Sequence, residues 1–184
     1  MSGSAQNCRA GSPHPAVAPN TAESGALALQ DAASSREGIF SIEPAQPQDG
    51  ASIGELLGAA GLPHEDFAPH LNRFLVARRG QQVIGAVGAE VIGEDALLRS
   101  LVVDLGARRA GLGEALVRRI ENEAAGWGVQ RWWLLTTTAE EFFRKRGFRV
   151  TPRNEAPAGI AATAEFRGLC PSMAACLSRE RRSA

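Results

Sequence analysis

Arg108, Arg109, Ala110, Gly111, Leu112 and Gly113 form the stretch whose residue types and spacing point most directly to chemistry. Glycines bare backbone N–H groups, a helix start adds partial positive charge, and guanidinium groups attract anionic oxygen, so the six residues can cradle a phosphate or pyrophosphate. Alone, they could equally shape a strand-to-helix turn. The apolar run 97–103 before them, and the helical spacing of Leu112, Leu116, Val117, Ile120, Ala124 and Trp127 after them, favour the anion site. No Gly-x-x-x-x-Gly-Lys-Ser/Thr pattern occurs, and the loop lacks the first glycine of a dinucleotide fingerprint, which disfavours nucleotide binding of those kinds.

Other reactive side chains are scattered. Glu90 lies in an apolar run and could take a proton through water, although a solvated strand carboxylate has the same pattern. Cys170 and Ser172 could act as nucleophiles, but no His partner accompanies Cys170. Arg73 and Arg99 open or interrupt apolar strands, and guanidinium groups meet carboxylate oxygens bidentately, so both are candidates for holding an anionic substrate; exposed strand-end arginines are the competing reading. His64 and His70 fall in a loop that could cover a substrate or lie at the surface. Arg144, Lys145, Arg146, Arg149 and Arg153 suit a phosphate or a solvated helix face.

The elements that must position these groups alternate along the chain. Residues 39–43 read as a strand, and Ile53, Leu56, Leu57 and Ala60 mark one helix face after the cap candidate Asp49, ended by Gly61 and Pro63. Runs 74–78 and 83–91 flank Arg79-Gly80 as a hairpin, and Gly93-Glu94-Asp95 turns the chain into 97–103, giving three neighbouring antiparallel strands. The helix from Leu112 stops at Gly126 and Gly128; a strand over 131–136, a short helix over 139–146 ended by Gly147, and a strand over 148–151 follow. Residues 173–177 could pair with that last strand.

A chain of 184 residues has room for one ordinary domain, expected over 39–179, with an Ala-, Gly-, Ser- and Pro-rich disordered tail over 1–38 and a short tail over 180–184. Glu23, Asp31 and Glu37 argue against reading the first segment as an acid-poor transit peptide. Twenty basic and twenty acidic residues balance, so no overall field favours nucleic acid or an anionic membrane, and a small-molecule partner is expected. Cys8, Cys170 and Cys176 form no CxxC pair, which argues against a disulfide framework or a zinc site and fits a reducing cytoplasm. No run approaches the roughly 18 apolar residues of a membrane span.

The order strand, Arg-x-x-Gly-x-Gly loop, amphipathic helix, strand, and helix ending in Gly147-Phe148 resembles the GNAT superfamily of acyl-CoA-dependent N-acetyltransferases, over about 39–179. A narrower likeness comes from residues 134–140, 142–148, 155–157 and 163–172, the last reading Thr-Ala-Glu-Phe-Arg-Gly-Leu-Cys-Pro-Ser. These look like the arsenic-resistance N-acetyltransferase branch, related to amino-acid acetyltransferases such as N-acetylglutamate synthase.

That resemblance implies an α/β (α+β) fold: a mixed, mostly antiparallel central sheet with helices on both faces and a V-shaped splay at the acyl-CoA site. It implies acetyl-CoA as donor, bound through its pyrophosphate by Arg108 to Gly113, with Glu114, Thr137 and Phe143 completing the site. It implies that backbone N–H groups of Leu101, Val102 and Val103 face the thioester, Val102 above all. The implied acceptor is an amino acid or an amino-acid-like organoarsenical such as arsinothricin. Pairwise association is common in the family, so a homodimer is admissible. Many members place a Tyr before the Gly-Phe pair as general acid, but this chain has no Tyr, and Phe142 and Phe143 occupy that neighbourhood. Direct acetyl transfer remains physically open, because a thiol with an ordinary pKa near 8.5 leaves readily as thiolate. A non-catalytic acyl-CoA sensor is the alternative, and a trivalent-arsenic binder using Cys170 and Cys176 is a weaker third reading.

Overall fold

Two-residue turns build the first half of the sheet. In the computed structural model, which describes residues 40–181, β2 (Phe74–Arg79) and β3 (Gln82–Ile92) are joined through Gly80, and β3 and β4 (Asp95–Val103) through Gly93. Gly80 and Gly93 have φ of +58° and +62°, the left-handed backbone that tight hairpin turns require. β1 (Ser41–Pro44) adds to β2, so β1 to β4 form a continuous antiparallel group. The expected tail 1–38 lies outside the described residues.

The second half is built differently. α2 (Leu112–Ala125) carries the chain from β4 to β5 (Arg131–Thr136), which pairs with β4 in parallel through Asp95↔Arg131, Ala96↔Trp132 and Leu97↔Trp133. Beyond those pairs the strands part: β4 stays with β3 while β5 continues against β7 (Ala175–Glu180). β6 (Arg149–Val150) pairs with the other side of β7, giving seven strands in the order β1-β2-β3-β4-β5-β7-β6. The final strand thus lies between β5 and β6, and it runs one residue past the expected domain end.

Burial decides which way each helix faces. Leu112, Leu116, Val117, Ile120 and Ala124 of α2 are buried against Leu98, Trp132 and Leu134, and Phe143 of α3 (Glu140–Arg144) joins them on the same face. Each buried Leu or Val is worth about 1.5–3 kcal/mol, far more than helix propensity contributes per residue. The opposite face carries two separate clusters. Ile53 and Leu57 of α1 (Gly50–Ala59) pack with Phe67, Phe74 and Val102, while Ile160 of α4 (Ala158–Ala161) packs with Leu97, Trp133 and Cys176.

Some expected details differ. Asp49 stands at the start of α1 with helical backbone and makes no side-chain cap; its carboxylate accepts from the Gln46 N–H at 2.8 Å and from Arg78. The helix expected over 139–146 is a five-residue α3, and its next strand is two residues long. α4 and the π-helical turn Glu165–Leu169 fall where no element was expected. Among the described residues, no helix is long and apolar enough to cross a membrane.

Candidate active site

Where β4 and β5 part, a cleft of about 780 Å³ opens. One wall is β4 from Leu98 to Val103 and the loop leading into α2; the other is the end of β5 with Thr138, Phe142, Phe143 and Arg146. β4 bends at this point. Its register with β3 passes from Gly88↔Arg99 to Ala86↔Val102, so Ser100 and Leu101 oppose the single residue Val87. Ser100 takes the strain, with φ of +56°. A left-handed backbone costs a residue with a Cβ about 1–2 kcal/mol, so the surrounding structure must impose it.

The bend aims backbone donors. Successive residues of an antiparallel ladder direct their N–H and C=O alternately to either side. Asp104 N–H bonds the Ile84 carbonyl at 2.9 Å and faces β3. Val102, two residues back and paired with Ala86, faces β3 as well, whereas Leu101 and Val103 face the opening. The Val103 carbonyl accepts from Arg108 Nε at 3.0 Å on that side. The expectation of Val102 as the principal donor is therefore corrected: alternation assigns that position to Leu101 and Val103, and the Val102 side chain fills the α1 cluster.

The glycine loop suits an anion. Gly111 has φ of +78°, precedes α2 without any side-chain cap, and leaves open space where a Cβ would stand. The first turn of a helix has backbone N–H groups without intrahelical partners, and here Ala115 N–H is the donor to the Gly111 carbonyl. Arg108 and Arg109 are exposed beside it, and Arg109 also has left-handed backbone, φ +66°. Small residues, unpartnered donors and two cations in one place fit a pyrophosphate. Leu112 is buried beneath the loop, and Gly113 lies 3.7 Å from the Phe142 ring when given a Cβ. Glu114 turns to Arg146 at 2.9 Å, and Arg146 stacks over the Phe142 ring at 3.5 Å. Ala110 and Thr137 are exposed and do not line the cleft; Thr136 and Thr138 do, with Thr136 Oγ1 accepting from the Ala139 N–H at 2.9 Å to close the start of α3. Phe143 meets Phe142 and Phe148 edge-on while forming part of the wall, so it is both lining and core.

The acceptor-side candidates are redistributed. Arg73 stacks over Trp127 at 4.4 Å, away from the cleft lining. Arg99 is 2% exposed and its guanidinium is enclosed by carboxylates: Asp66 at 2.5 Å, Glu165 at 3.2 Å and Glu90 at 3.4 Å. It does not stand as a free anion anchor. Burial pulls the Arg99 pKa down, but the Asp66 hydrogen bond and the surrounding carboxylates hold it above its ordinary value. Glu90, expected as a solvated or catalytic carboxylate, faces Arg99 and lies 3.7 Å from His70 Nε2. Burial drives the Glu165 carboxyl up to about 7, with Arg99 opposing and Asp66 and Glu90 reinforcing the rise. Cys170 donates to Glu165 Oε2 at 3.9 Å; burial and then the Glu165 charge push the thiol up to about 11, so it stays protonated at neutral pH and is no ready nucleophile.

Three residues singled out separately in sequence, Glu90, Arg99 and Cys170, thus meet around two that were not, Asp66 and Glu165. Asp66 sits in a connecting segment without periodicity, Glu165 lies in the 163–172 stretch quoted for its likeness but given no role, and only the long-range packing brings them to Arg99. Among the described residues no group of three or more His, Cys, Asp or Glu is placed to hold a metal ion.

Known proteins share this fold. Residues 70–150 match the Acetyltransferase (GNAT) domain family. Over 99 residues the chain is 30% identical to an amino-acid acetyltransferase of Pseudomonas syringae pv. tomato, covering 53% of this chain and 23% of that one. The chain spans less than a quarter of the length of such curated relatives. Among solved structures, N-acetylglutamate synthase from Neisseria gonorrhoeae complexed with coenzyme A and N-acetyl-glutamate superposes with a TM-score of 0.68 and 24% identity, over 78% of this chain and 35% of that one. The ribosomal-protein-S18-alanine N-acetyltransferase of Escherichia coli superposes with a TM-score of 0.61 and 19% identity, over 79% of this chain and 96% of that one.

Proposed function

We propose that this chain, which carries a GNAT acetyltransferase domain over residues 70–150, moves an acetyl group from acetyl-CoA to the amine of a small amino acid or an amino-acid-like organoarsenical, by direct attack in a ternary complex. The observation that carries the reading is the splay of β4 from β5, which joins an uncapped helix start flanked by arginines to a run of backbone donors in one cleft. In this reading Arg108 to Gly113 hold the pyrophosphate of acetyl-CoA. The thioester carbonyl lies against the Leu101 and Val103 N–H groups, where oxygen gains charge as the amine attacks. One such donor is worth about 2.7–4 kcal/mol to the transition state of acyl transfer. Carbon–nitrogen bond formation and carbon–sulfur cleavage then release coenzyme A as thiolate, and the amine proton passes to water.

The likeness to amino-acid acetyltransferases supports an amino acid as acceptor. Two free cysteines, Cys170 and Cys176, support the cytoplasm as its location. The test is release of free coenzyme A, followed with a thiol reagent, across proteinogenic amino acids, glutamate analogues and arsinothricin. Turnover on one class identifies the acceptor. Tight acetyl-CoA binding without turnover on any of them would replace the enzyme by an acyl-CoA sensor. Replacing Gly111 with Val should abolish acetyl-CoA binding, and retained affinity would remove the loop from the donor site.

A further inference from the structure

The chain turns left-handed at Ser100 directly after the most enclosed cation on this face of the sheet. Arg99 is contacted from three elements: Asp66 in the segment between α1 and β2, Glu90 on β3, and Glu165 on the π-helical turn near the C-terminus. Around them stand His70, 3.7 Å from Glu90, and Cys170, 3.9 Å from Glu165; Arg153 adds a positive charge that bears on Cys170. Such an assembly fixes residue 99 against the sheet, because breaking one contact strands a buried charge. The next residue is the one whose φ of +56° has no glycine to relax it, and its hydroxyl is buried without a hydrogen-bond partner among the described residues. Local hydrogen bonding of the Ser100 side chain therefore does not hold the bend. The ion pairs of its neighbour act on the bend together with the pairing of Arg99 and Val102 to β3.

We infer that Glu165 is a positioning residue: together with Asp66 it grips the Arg99 guanidinium, and that grip maintains the Ser100 bend which turns the Leu101 and Val103 N–H groups into the cleft. Glu165 touches neither donor nor acceptor in this scheme. Its ionised form is the one that grips, and a carboxyl titrating at about 7 is half ionised at neutral pH. The importance of those N–H groups rests on the acetyl-transfer reading, whereas the mechanical link from Glu165 to Ser100 does not.

The experiment is a double-mutant cycle in the full chain, Glu165→Gln with and without Ser100→Gly, because glycine adopts φ near +60° without strain. Two quantities are read: kcat, and the backbone amide resonances of Leu101 and Val103. Glu165→Gln should lower kcat about tenfold with acetyl-CoA KM unchanged, and less than about twofold in the Ser100→Gly background. The two amide resonances should move in Glu165→Gln and stay in place when the same change is made in Ser100→Gly. Wild-type kcat should show an inflection near 7 in addition to the titration of the acceptor amine, and the Gln variant should keep only the latter. Equal losses of kcat in both backgrounds, or amides indifferent to Glu165, would overturn the inference. If the wild type turns over none of the acceptors, the acetyl-transfer reading fails and the amide resonances alone still decide the link. Glu165→Asp, with the same charge on a shorter stem, serves the same cycle should the Gln variant not fold.

Discussion

Neutralising Glu165 should make the protein less sensitive to alkali, and the magnitude follows from its burial. The folded carboxyl titrates at about 7 in place of its ordinary 4.5. Between those values the folded state holds a proton that the unfolded chain releases, so this group's contribution to stability falls as pH rises through the window. Each tenfold of proton affinity is worth about 1.4 kcal/mol, which makes the whole effect about 3 kcal/mol, with about 2 kcal/mol of it between pH 5.5 and 8. Urea unfolding of wild type and Glu165→Gln at those two pH values isolates the term, because every other titrating group is common to both proteins. The stability gap should move by about 2 kcal/mol in favour of the variant at pH 8, seen thermally as a relative Tm shift of about 4–8 °C. A gap that stays constant, or moves the other way, would refute the reasoning that desolvation dominates at Glu165. Activity is expected to run against stability over the same range, since the ionised carboxylate is the form that grips Arg99.

Gly88→Ala should destabilise the fold by about 1–3 kcal/mol or more in urea unfolding, because the added Cβ would sit 2.2 Å from the buried Phe74 ring, itself packed on Phe67. Arg73→Ala should leave acceptor KM and acetyl-CoA KM unchanged and cost about 0.5–1 kcal/mol in stability, as its guanidinium stacks on Trp127 away from the cleft; a raised acceptor KM would return Arg73 to the substrate. Thr136→Val removes the acceptor for the Ala139 N–H, and should cost about 1 kcal/mol while weakening acetyl-CoA binding in a direct titration, since α3 forms one wall of the cleft.

Local chemistry was legible in the sequence where it was self-sufficient. Arg131–Thr136 is bounded as its apolar run suggests, and Leu112 starts α2 where helical spacing begins, because each segment's own pattern matches the face it buries. The hairpin at Gly80 could be read for the same reason. Asp49 illustrates the limit: the type suits a cap, but Arg78, 29 residues on, competes for the carboxylate. α4, with two alanines in four residues, and the five-residue π-helical turn are too short to show a period, and they form where Ile160 finds Leu97 and Trp133 and Phe166 packs on the same cluster. Arg99 was visible as a strand arginine, yet its meaning depends on Asp66 and Glu165, whose approach is a product of the whole topology. Val102 was misassigned for a subtler reason, since a one-residue bulge resets which backbone groups face outward, and no side chain advertises it.

The sheet is best regarded as two rafts hinged at one end. β1 to β4 complete one raft by antiparallel pairing, and β5, β7 and β6 complete the other. Three register pairs hold them together, reinforced by Asp95, which accepts from Trp133 Nε1 and meets Arg131 Nε, each at 2.9 Å. A common core spans the joint under α2, while on the far face the packing is divided into separate clusters. A molecule lying in the wedge touches both rafts and recognises them only when aligned. Its binding free energy is then added to the seam, about 2.7 kcal/mol at a hundredfold excess over Kd, so occupancy of the cleft tightens the joint on which both rafts depend.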